Sequence, residues 1–296
     1  MMPISKTRPA TRATITSKEN KWLKTFRAAL AGDRGEGGLV GVEGVRLVEA
    51  ALGSRLHVEA LLVSESGERH VARIEPLLGE DARILRTSDK LFAGASGTEA
   101  PQGIAAIVAP RRYSVEDLLQ GAGLIVVLAG VQDPGNVGTI FRAAEALGAS
   151  GAAACSADAL GTADPLGPKA LRASAGSALR LPFVQGMPVA ALVSRLRAAS
   201  VKVYASVAAE ADDQRRDRRG DSRVMRPWEV NWKVPAALLI GNEGAGLPEE
   251  IVATADAEVS IPQAAAATPI GVESLNAAMA ATVLLYEAMR QRTDRR

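Results

Sequence analysis

The sequence predicts an α/β protein in two parts, a small N-terminal α/β domain followed by a mostly parallel α/β sheet. Three observations carry this. Residues 124–129 and 236–240 are unbroken apolar runs, the pattern of strands buried on both faces of a parallel sheet. These runs alternate with segments of helical periodicity, as parallel strands joined by crossover helices require. The chain has 296 residues, 47% hydrophobic and 23% charged, an ordinary globular composition at a length that favours about two domains.

Taken in order, residues 1–16 read as a basic, disordered tail. The first 27 residues carry Lys6, Arg8, Arg12, Lys18, Lys21, Lys24 and Arg27 against Glu19 alone, on a chain whose net charge is only +2. Arg290, Arg292, Arg295 and Arg296 oppose a single Asp294 at the other end. Basic ends on a near-neutral body suit a polyanion such as RNA. A transit peptide would need an amphipathic apolar face, which the start lacks. Aromatic residues are 3%, too few for a platform that stacks single-stranded bases.

Residues 17–109 form the predicted small domain. A helix over 21–30 and a Gly-rich turn over 32–38 precede a strand over 39–42. The helix over 45–52 places Val45, Val48, Ala51 and Leu52 on one face. Further strands are expected over 57–63 and 104–108. Residues 110–122, with Pro110, Arg111, Arg112 and Gly121, read as the linker. The larger domain, 123–296, alternates more clearly: helices over 137–147, 168–178, 189–199, 247–253 and 273–291, with strands over 152–154, 201–207 and 258–261 between them. Residues 208–226 hold six arginines and five acids with few large apolar residues, and read as a long loop.

Several classes of function are excluded. Cys155 is the sole cysteine, so no intramolecular disulfide exists. With only His57 and His70 beside it, a Cys/His zinc site lacks ligands, and no metal is expected. No apolar run is long enough to span a bilayer, and no apolar stretch follows the basic start as in a secretory signal. These features together predict a reducing, cytoplasmic compartment.

The chemistry is expected at strand ends, where open α/β sheets bind ligands. After the strand at 124–129 comes Gly130-Val131-Gln132-Asp133-Pro134-Gly135-Asn136-Val137-Gly138. Read alone, Asn136 caps a helix and Arg142 pairs with Glu145. After the strand at 236–240 comes Gly241-Asn242-Glu243-Gly244-Ala245-Gly246, whose glycines permit close backbone approach to a ligand. It is neither a dinucleotide fingerprint nor a P-loop. The third locus is Ile261-Pro262-Gln263 with Ser274-Leu275-Asn276, where Ser274 alone reads as the cap of the last helix.

Together and in this order, the three loops resemble the signatures of the SpoU–TrmH branch of the SPOUT methyltransferases. The first runs from Asp133-Pro134-Gly135-Asn136 through Phe141-Arg142 to Gly148, the second is Gly241–Leu247, and the third is Ile261-Pro262 with Ser274-Leu275-Asn276-Ala277-Ala278. Lys169-Ala170-Leu171-Arg172-Ala173-Ser174-Ala175-Gly176 also matches. In the small domain, Ser17-Lys18-Glu19-Asn20 with Lys24, Val42-Glu43-Gly44-Val45-Arg46-Leu47-Val48-Glu49 and Thr98-Glu99-Ala100-Pro101-Gln102-Gly103 resemble the family's accessory RNA-binding domain. The likeness spans residues 17–291. It implies methyl transfer from S-adenosylmethionine to a ribose 2′-hydroxyl of RNA, ribosomal RNA before transfer RNA, by a homodimer whose sheet carries a deep C-terminal trefoil knot. It implies catalytic roles for Asn136, Arg142, Glu243, Ser274 and Asn276, and cofactor contacts for Gly241, Ile261 and Leu275. The alternatives are a transfer-RNA ribose methyltransferase or a non-catalytic RNA-binding protein that keeps the fold. A nicotinamide oxidoreductase lacks its fingerprint.

A guanidinium has only donors to offer. Arg142 is therefore read as a phosphate clamp that also favours a developing alkoxide, with Asn136, Glu243 and Asn276 as hydrogen-bonding fixers and Ser274 positioning cofactor or ribose. Leu275, Met279, Val283 and Tyr286 form one stripe on a last helix that is apolar nearly all round, so that helix is expected to be buried on several sides. Two departures from the family pattern bear on Ile261. Residues 264–270 lengthen the stretch before Ser274, and Gln263 stands where methionine is usual.

Overall fold

The structure is a computed structural model that describes residues 12–79, 82–121, 123–208, 224–263 and 275–294. The first eleven residues of the predicted tail, most of the Arg-rich 208–226 loop, residues 264–270 and Ser274 lie outside these. Two units emerge. One holds the described residues up to Arg111 together with Leu166–Arg180, and the other holds Arg112–Pro165 and the described residues from Leu181 onward.

In the first unit β1 (Arg12–Ile15), α1 (Lys21–Leu30), β2 (Val40–Glu43), α2 (Val45–Gly53), β3 (His57–Ser64), α3 (Val71–Ile74), β4 (Arg83–Thr87), α4 (Asp89–Ala93) and β5 (Ile104–Ala109) follow in order. Their sheet runs β1-β4-β3-β5-β2; β1, β4 and β3 are parallel, while β5 is antiparallel to both β3 and β2. The α1 helix starts where Asn20 accepts from the Trp22 amide, and it buries Leu23, Phe26, Ala29 and Leu30. That spacing is one helical face.

The second unit comprises α5 (Val115–Leu119), β6 (Leu124–Ala129), α6 (Pro134–Ala146), β7 (Gly151–Ser156), β8 (Phe183–Pro188), α8 (Val189–Ala198), β9 (Lys202–Val207), β10 (Val224–Met225), β11 (Ala236–Ile240), α9 (Glu249–Thr254), β12 (Ala257–Ser260) and α10 (Ala277–Thr293). The remaining helix, α7 (Pro168–Ser174), goes with the first unit. The sheet order is β10-β12-β9-β11-β6-β7-β8, and every pairing is parallel. Every residue of β6 and β11 is buried, as their unbroken apolar runs require.

Three boundaries differ from the sequence reading. Residues 12–15, read as part of a disordered tail, form β1, which pairs in parallel with β4. The stretch read as a linker contains α5, closed by a capping box in which Ser114 and Asp117 exchange hydrogen bonds. Its Val115 and Leu118 are buried in the second unit's core, and that apolar pair makes it a folded element. The helix expected over 168–178 stops at Ser174, because Ala175 and Gly176 both take left-handed backbone. A Cβ at Gly176 would lie 2.6 Å from that of Ala50, so α7 belongs to the first unit's packing. Helical periodicity reveals a buried face but not which core buries it.

The last helix of 17 residues, about 25 Å long, runs along the second unit. Near its end Gln291 accepts from the Trp232 amide and donates to Val230 O, while Arg292 Nη2 donates to Gly123 O at 2.6 Å and Val234 O at 2.7 Å. Trp232 is fully buried, with its indole N–H on Pro227 O at 2.8 Å. The α10 helix buries Ala278, Ala281, Leu284, Leu285 and Ala288 but leaves Met279 64% and Tyr286 56% exposed, so within one chain the predicted stripe is not covered. Among the described residues no helix is long and apolar enough to cross a membrane.

Phe141 of α6 is fully buried and meets Phe183 edge to face at 5.3 Å between ring centres. Phe141→Ala is expected to cost about 3–5 kcal/mol of stability. Denaturant unfolding checks this, and a loss under about 1 kcal/mol would contradict the packing.

Candidate functional site

The site forms because β6 and β11 are neighbours, with Ile240 opposite Leu128. Parallel pairing brings their carboxyl ends to one edge of the sheet. The loops that follow, 130–133 and 241–246, therefore meet although more than a hundred residues separate them. This edge is where open α/β sheets bind ligands.

The 241–246 loop is a closed turn. Asn242 and Gly246 exchange both backbone hydrogen bonds at 3.0 Å, and Asn242 Oδ1 accepts from the amides of Gly244 and Ala245. Gly246 takes φ +70°, and a Cβ at Gly241 would lie 2.3 Å from the Gly246 carbonyl carbon. Only glycine fits at 241 while the turn keeps this shape. Asn242 Nδ2 donates to Gly130 O at 2.9 Å and so ties this turn to the first loop.

Glu243 then reaches across. Its carboxylate accepts from the amides of Gln132 and Asp133 at 3.2 Å and from Asn136 Nδ2 at 2.9 Å. Asn136 Oδ1 in turn accepts from Asn276 Nδ2 at 3.0 Å, and Asn276 Oδ1 accepts from the amides of Ala278 and Met279. The direction of this chain follows from chemistry. An ionised carboxylate only accepts, so Asn136 must turn its NH₂ toward Glu243 and its carbonyl toward Asn276. Partial burial pushes the Glu243 carboxyl up, but hydrogen bonds from Asn136, its own backbone, Gln132 and Asp133 outweigh this and hold it below its usual range. Glu243 is thus held ionised at neutral pH and bridges the two loops by hydrogen bonds.

Two caps differ from the sequence reading. Asp133 caps α6 by accepting from Gly135 at 2.7 Å, with Pro134 at the first helical position; Asn136 lies inside the first turn. An Asp directly before a Pro was the signal for this. The α10 cap is Asn276 and not Ser274, because the helix begins at Ala277. Arg142 stands apart, about 9 Å farther along the α6 axis and a third of a turn round. It is exposed and makes no side-chain hydrogen bond or ion pair, to Glu145 or otherwise, among the described residues.

Beside the hydrogen-bonded chain opens a cleft of about 190 Å³. Gly241, Ile261 and Leu275 all line it, together with Ser206, Ile240, Glu243, Gln263 and Ala280. Ile240, Ile261, Leu275 and Ala280 supply apolar lining, and Ser206, Asn242, Glu243 and Gln263 supply polar lining. Such a cleft suits a ligand with one apolar or aromatic face and a polar edge. Among the described residues no cluster of His, Cys, Asp or Glu has the form of a metal site. Cys155 is buried, and burial pushes its thiol up to about 12, so it carries no thiolate chemistry.

Residues 123–286 match the SpoU rRNA Methylase family, and residues 29–106 match the MRM3-like substrate binding domain. A 23S rRNA (uridine(2479)-2′-O)-methyltransferase of Streptomyces viridochromogenes is 32% identical over 295 residues, 97% of this chain and 95% of the relative. The 23S rRNA (guanosine(2553)-2′-O)-methyltransferase RlmP of Bacillus subtilis is 32% identical over 83% of this chain and 86% of its own length. Among solved structures, the AdoMet-bound rRNA methyltransferase from Sinorhizobium meliloti has a TM-score of 0.74 at 30% identity, covering 94% of this chain and 98% of that one.

The lowered Glu243 carboxyl makes a pH prediction. Its stabilising contribution is complete above the ordinary value of 4.5 and is lost as pH falls through the lower folded value. Glu243→Gln should therefore be less stable than the parent at neutral pH and lose less on acidification below 4.5. Denaturant midpoints across that range measure this; parallel acid profiles would count against the anchor.

Proposed function

The chain belongs to the SpoU rRNA methylase family, and we infer that it transfers a methyl group from S-adenosylmethionine to a ribose 2′-hydroxyl of RNA, ribosomal RNA being the substrate class. The observation that carries this reading is the convergence of Asn136, Glu243 and Asn276 beside the cleft lined by Gly241, Ile261 and Leu275. Its mixed apolar and polar lining fits S-adenosylmethionine, and Gly241 serves the closed turn beside it, because the Gly246 backbone fills the place a side chain would take. When bound, that cofactor supplies a methyl group already activated on a sulfonium.

The tasks left to the protein are orienting the hydroxyl, accommodating its lost proton and excluding water. Among the described residues, Asn136 keeps one amide hydrogen and one carbonyl lone pair uncommitted, and Asn276 keeps one amide hydrogen. In our reading these groups aim the ribose hydroxyl, and Glu243 holds them rigid. Arg142, exposed and without a bonded partner among the described residues, grips an RNA phosphate through two N–H groups and favours the oxygen as it gains negative charge. Ser274 is assigned to positioning cofactor or ribose on the sequence resemblance. We also propose, from the resemblance, a C-terminal trefoil knot and an RNA-holding role for the first unit, and, from the cysteine usage, a cytoplasmic setting. The exposed Leu275, Met279, Val283 and Tyr286 stripe fits a second copy of the chain, making the working enzyme a homodimer.

Labelled methyl transfer to unmodified ribosomal and transfer RNA transcripts tests the activity. Methyl should enter ribosomal RNA and block alkaline cleavage at one position. Asn136→Ala and Arg142→Ala should each lose about 100-fold, roughly 2.7 kcal/mol of transition-state stabilisation. Arg142→Lys should remain about ten-fold down, because an ammonium cannot form the two-pronged contact. Full activity in the lysine variant would remove the clamp, and full activity in Asn136→Ala would remove the site.

The stripe makes a separate prediction. Met279→Asp with Val283→Asp should give a folded monomer in sedimentation analysis while the parent sediments as a dimer. A parent that stays monomeric at tens of micromolar would defeat the assignment of that face.

A further inference from the structure

Thr162 lies outside all three signature loops and does not line the cleft. Yet its hydroxyl stands at the carboxyl ends of β6 and β7 with its hydrogen-bonding capacity filled. The proton goes to Cys155 O at 2.7 Å, with Leu128 O at 3.1 Å. Its lone pairs accept from the Gly130 amide at 2.9 Å and the Val131 amide at 3.2 Å. A hydroxyl offers one donor and two acceptor sites, so none is left over. The next residue adds a further tie, with the Ala163 amide on Val131 O at 2.9 Å.

These bonds fix the two peptides from which the signature loop departs. Gly130 takes φ +75° and gives its carbonyl to Asn242 on the opposite side. The next two amides, of Gln132 and Asp133, are the ones Glu243 accepts from. The loop is thus gripped from β11 by Asn242 and Glu243 and from β7 by Thr162. The Val131 side chain is fully buried, and Thr162 Oγ1 is its amide's acceptor. Removing that oxygen leaves the Val131 amide without its partner, while the Gly130 amide keeps Cys155 O at 3.1 Å and Val131 O keeps the Ala163 amide, so the loop is loosened at Val131.

We propose that Thr162 is a positioning residue for methyl transfer: its hydroxyl sets the Gly130–Val131 peptides and through them the Asn136–Glu243 pair. This rests on the reading of that pair given above. The effect should fall mainly on the chemical step, because catalytic geometry is sensitive to displacements of an ångström or less, while Thr162 itself does not line the cofactor cleft.

The test compares Thr162→Val, which keeps shape and loses the hydroxyl, with Thr162→Ser, which keeps the hydroxyl. Steady-state methylation of ribosomal RNA transcript is read below the melting temperature of each. Thr162→Val should lower kcat about ten-fold and leave KM for S-adenosylmethionine within about two-fold. Thr162→Ser should recover to within about two-fold of the parent. The Val131 amide should exchange faster with solvent in the valine variant only. The Thr162→Val, Glu243→Gln double variant should be within about two-fold of Glu243→Gln alone, since both act on one loop. Should the valine variant fail to fold, Thr162→Cys replaces it, with similar bulk and a weak acceptor, and the same readings apply. A folded valine variant with full kcat, or a serine variant as damaged as the valine one, overturns the proposal. Asn136→Ala run alongside separates the two claims. If it is fully active the site reading falls; if it is inactive while Thr162→Val is fully active, only the role of Thr162 falls.

Discussion

The hydrogen bond from Asn136 to the Glu243 carboxylate is the contact on which the site depends. It joins side chains 107 positions apart and sets the direction of everything beyond it. Because the carboxylate can only accept, Asn136 has one orientation, Asn276 has one orientation, and the amides at the start of α10 are capped as a consequence. Three signature loops become one polar chain. A protonated Glu243 would lose that directionality, and its depressed carboxyl keeps the chain oriented at neutral pH.

That contact exists only because β11 lies beside β6. Chain order leads from β6 to β7 and β8, then to β9 on the opposite side, and β11 enters the gap between β9 and β6. The two loops meet at the place where the chain's progression across the sheet reverses, which is where α/β sheets form ligand crevices. The far end of α10 is held independently, by Gln291 and Arg292 on backbone carbonyls before β6 and β11. With one end capped at the site and the other tied at the base of the sheet, α10 is held along its length. Its outer stripe of Leu275, Met279, Val283 and Tyr286 stays exposed.

Much of the fold was legible in residue pattern. The β6 and β11 strands appear as uninterrupted apolar runs, and α1 appears with the right ends because Asn20 caps it and its apolar spacing is regular. The 168–178 helix was too long, since nothing local shows that Ala175 adopts left-handed backbone; Gly176 and its approach to Ala50 make the turn there. The caps at Asp133 and Asn276 were displaced by a few residues, because Asp, Asn and Ser at neighbouring positions all offer the same oxygen. Which one caps depends on where the helix axis is pinned by tertiary packing.

By itself the sequence determined the residue types available for chemistry, the glycine demanded at 241, the absence of disulfide and zinc ligands, and, by resemblance, the family and its cofactor. Those are consequences of local pattern and composition. Only the tertiary structure decided that the Glu243 carboxylate bridges the first loop and Asn136, that Thr162 and Asn242 grip the first loop from two sides, that Arg142 stands apart from the bonded trio, and that α7 packs with the first unit. Each of these depends on which strands are neighbours and on which side of a loop a donor lies. Parallel pairing across a hundred residues determines that, and local pattern does not record it.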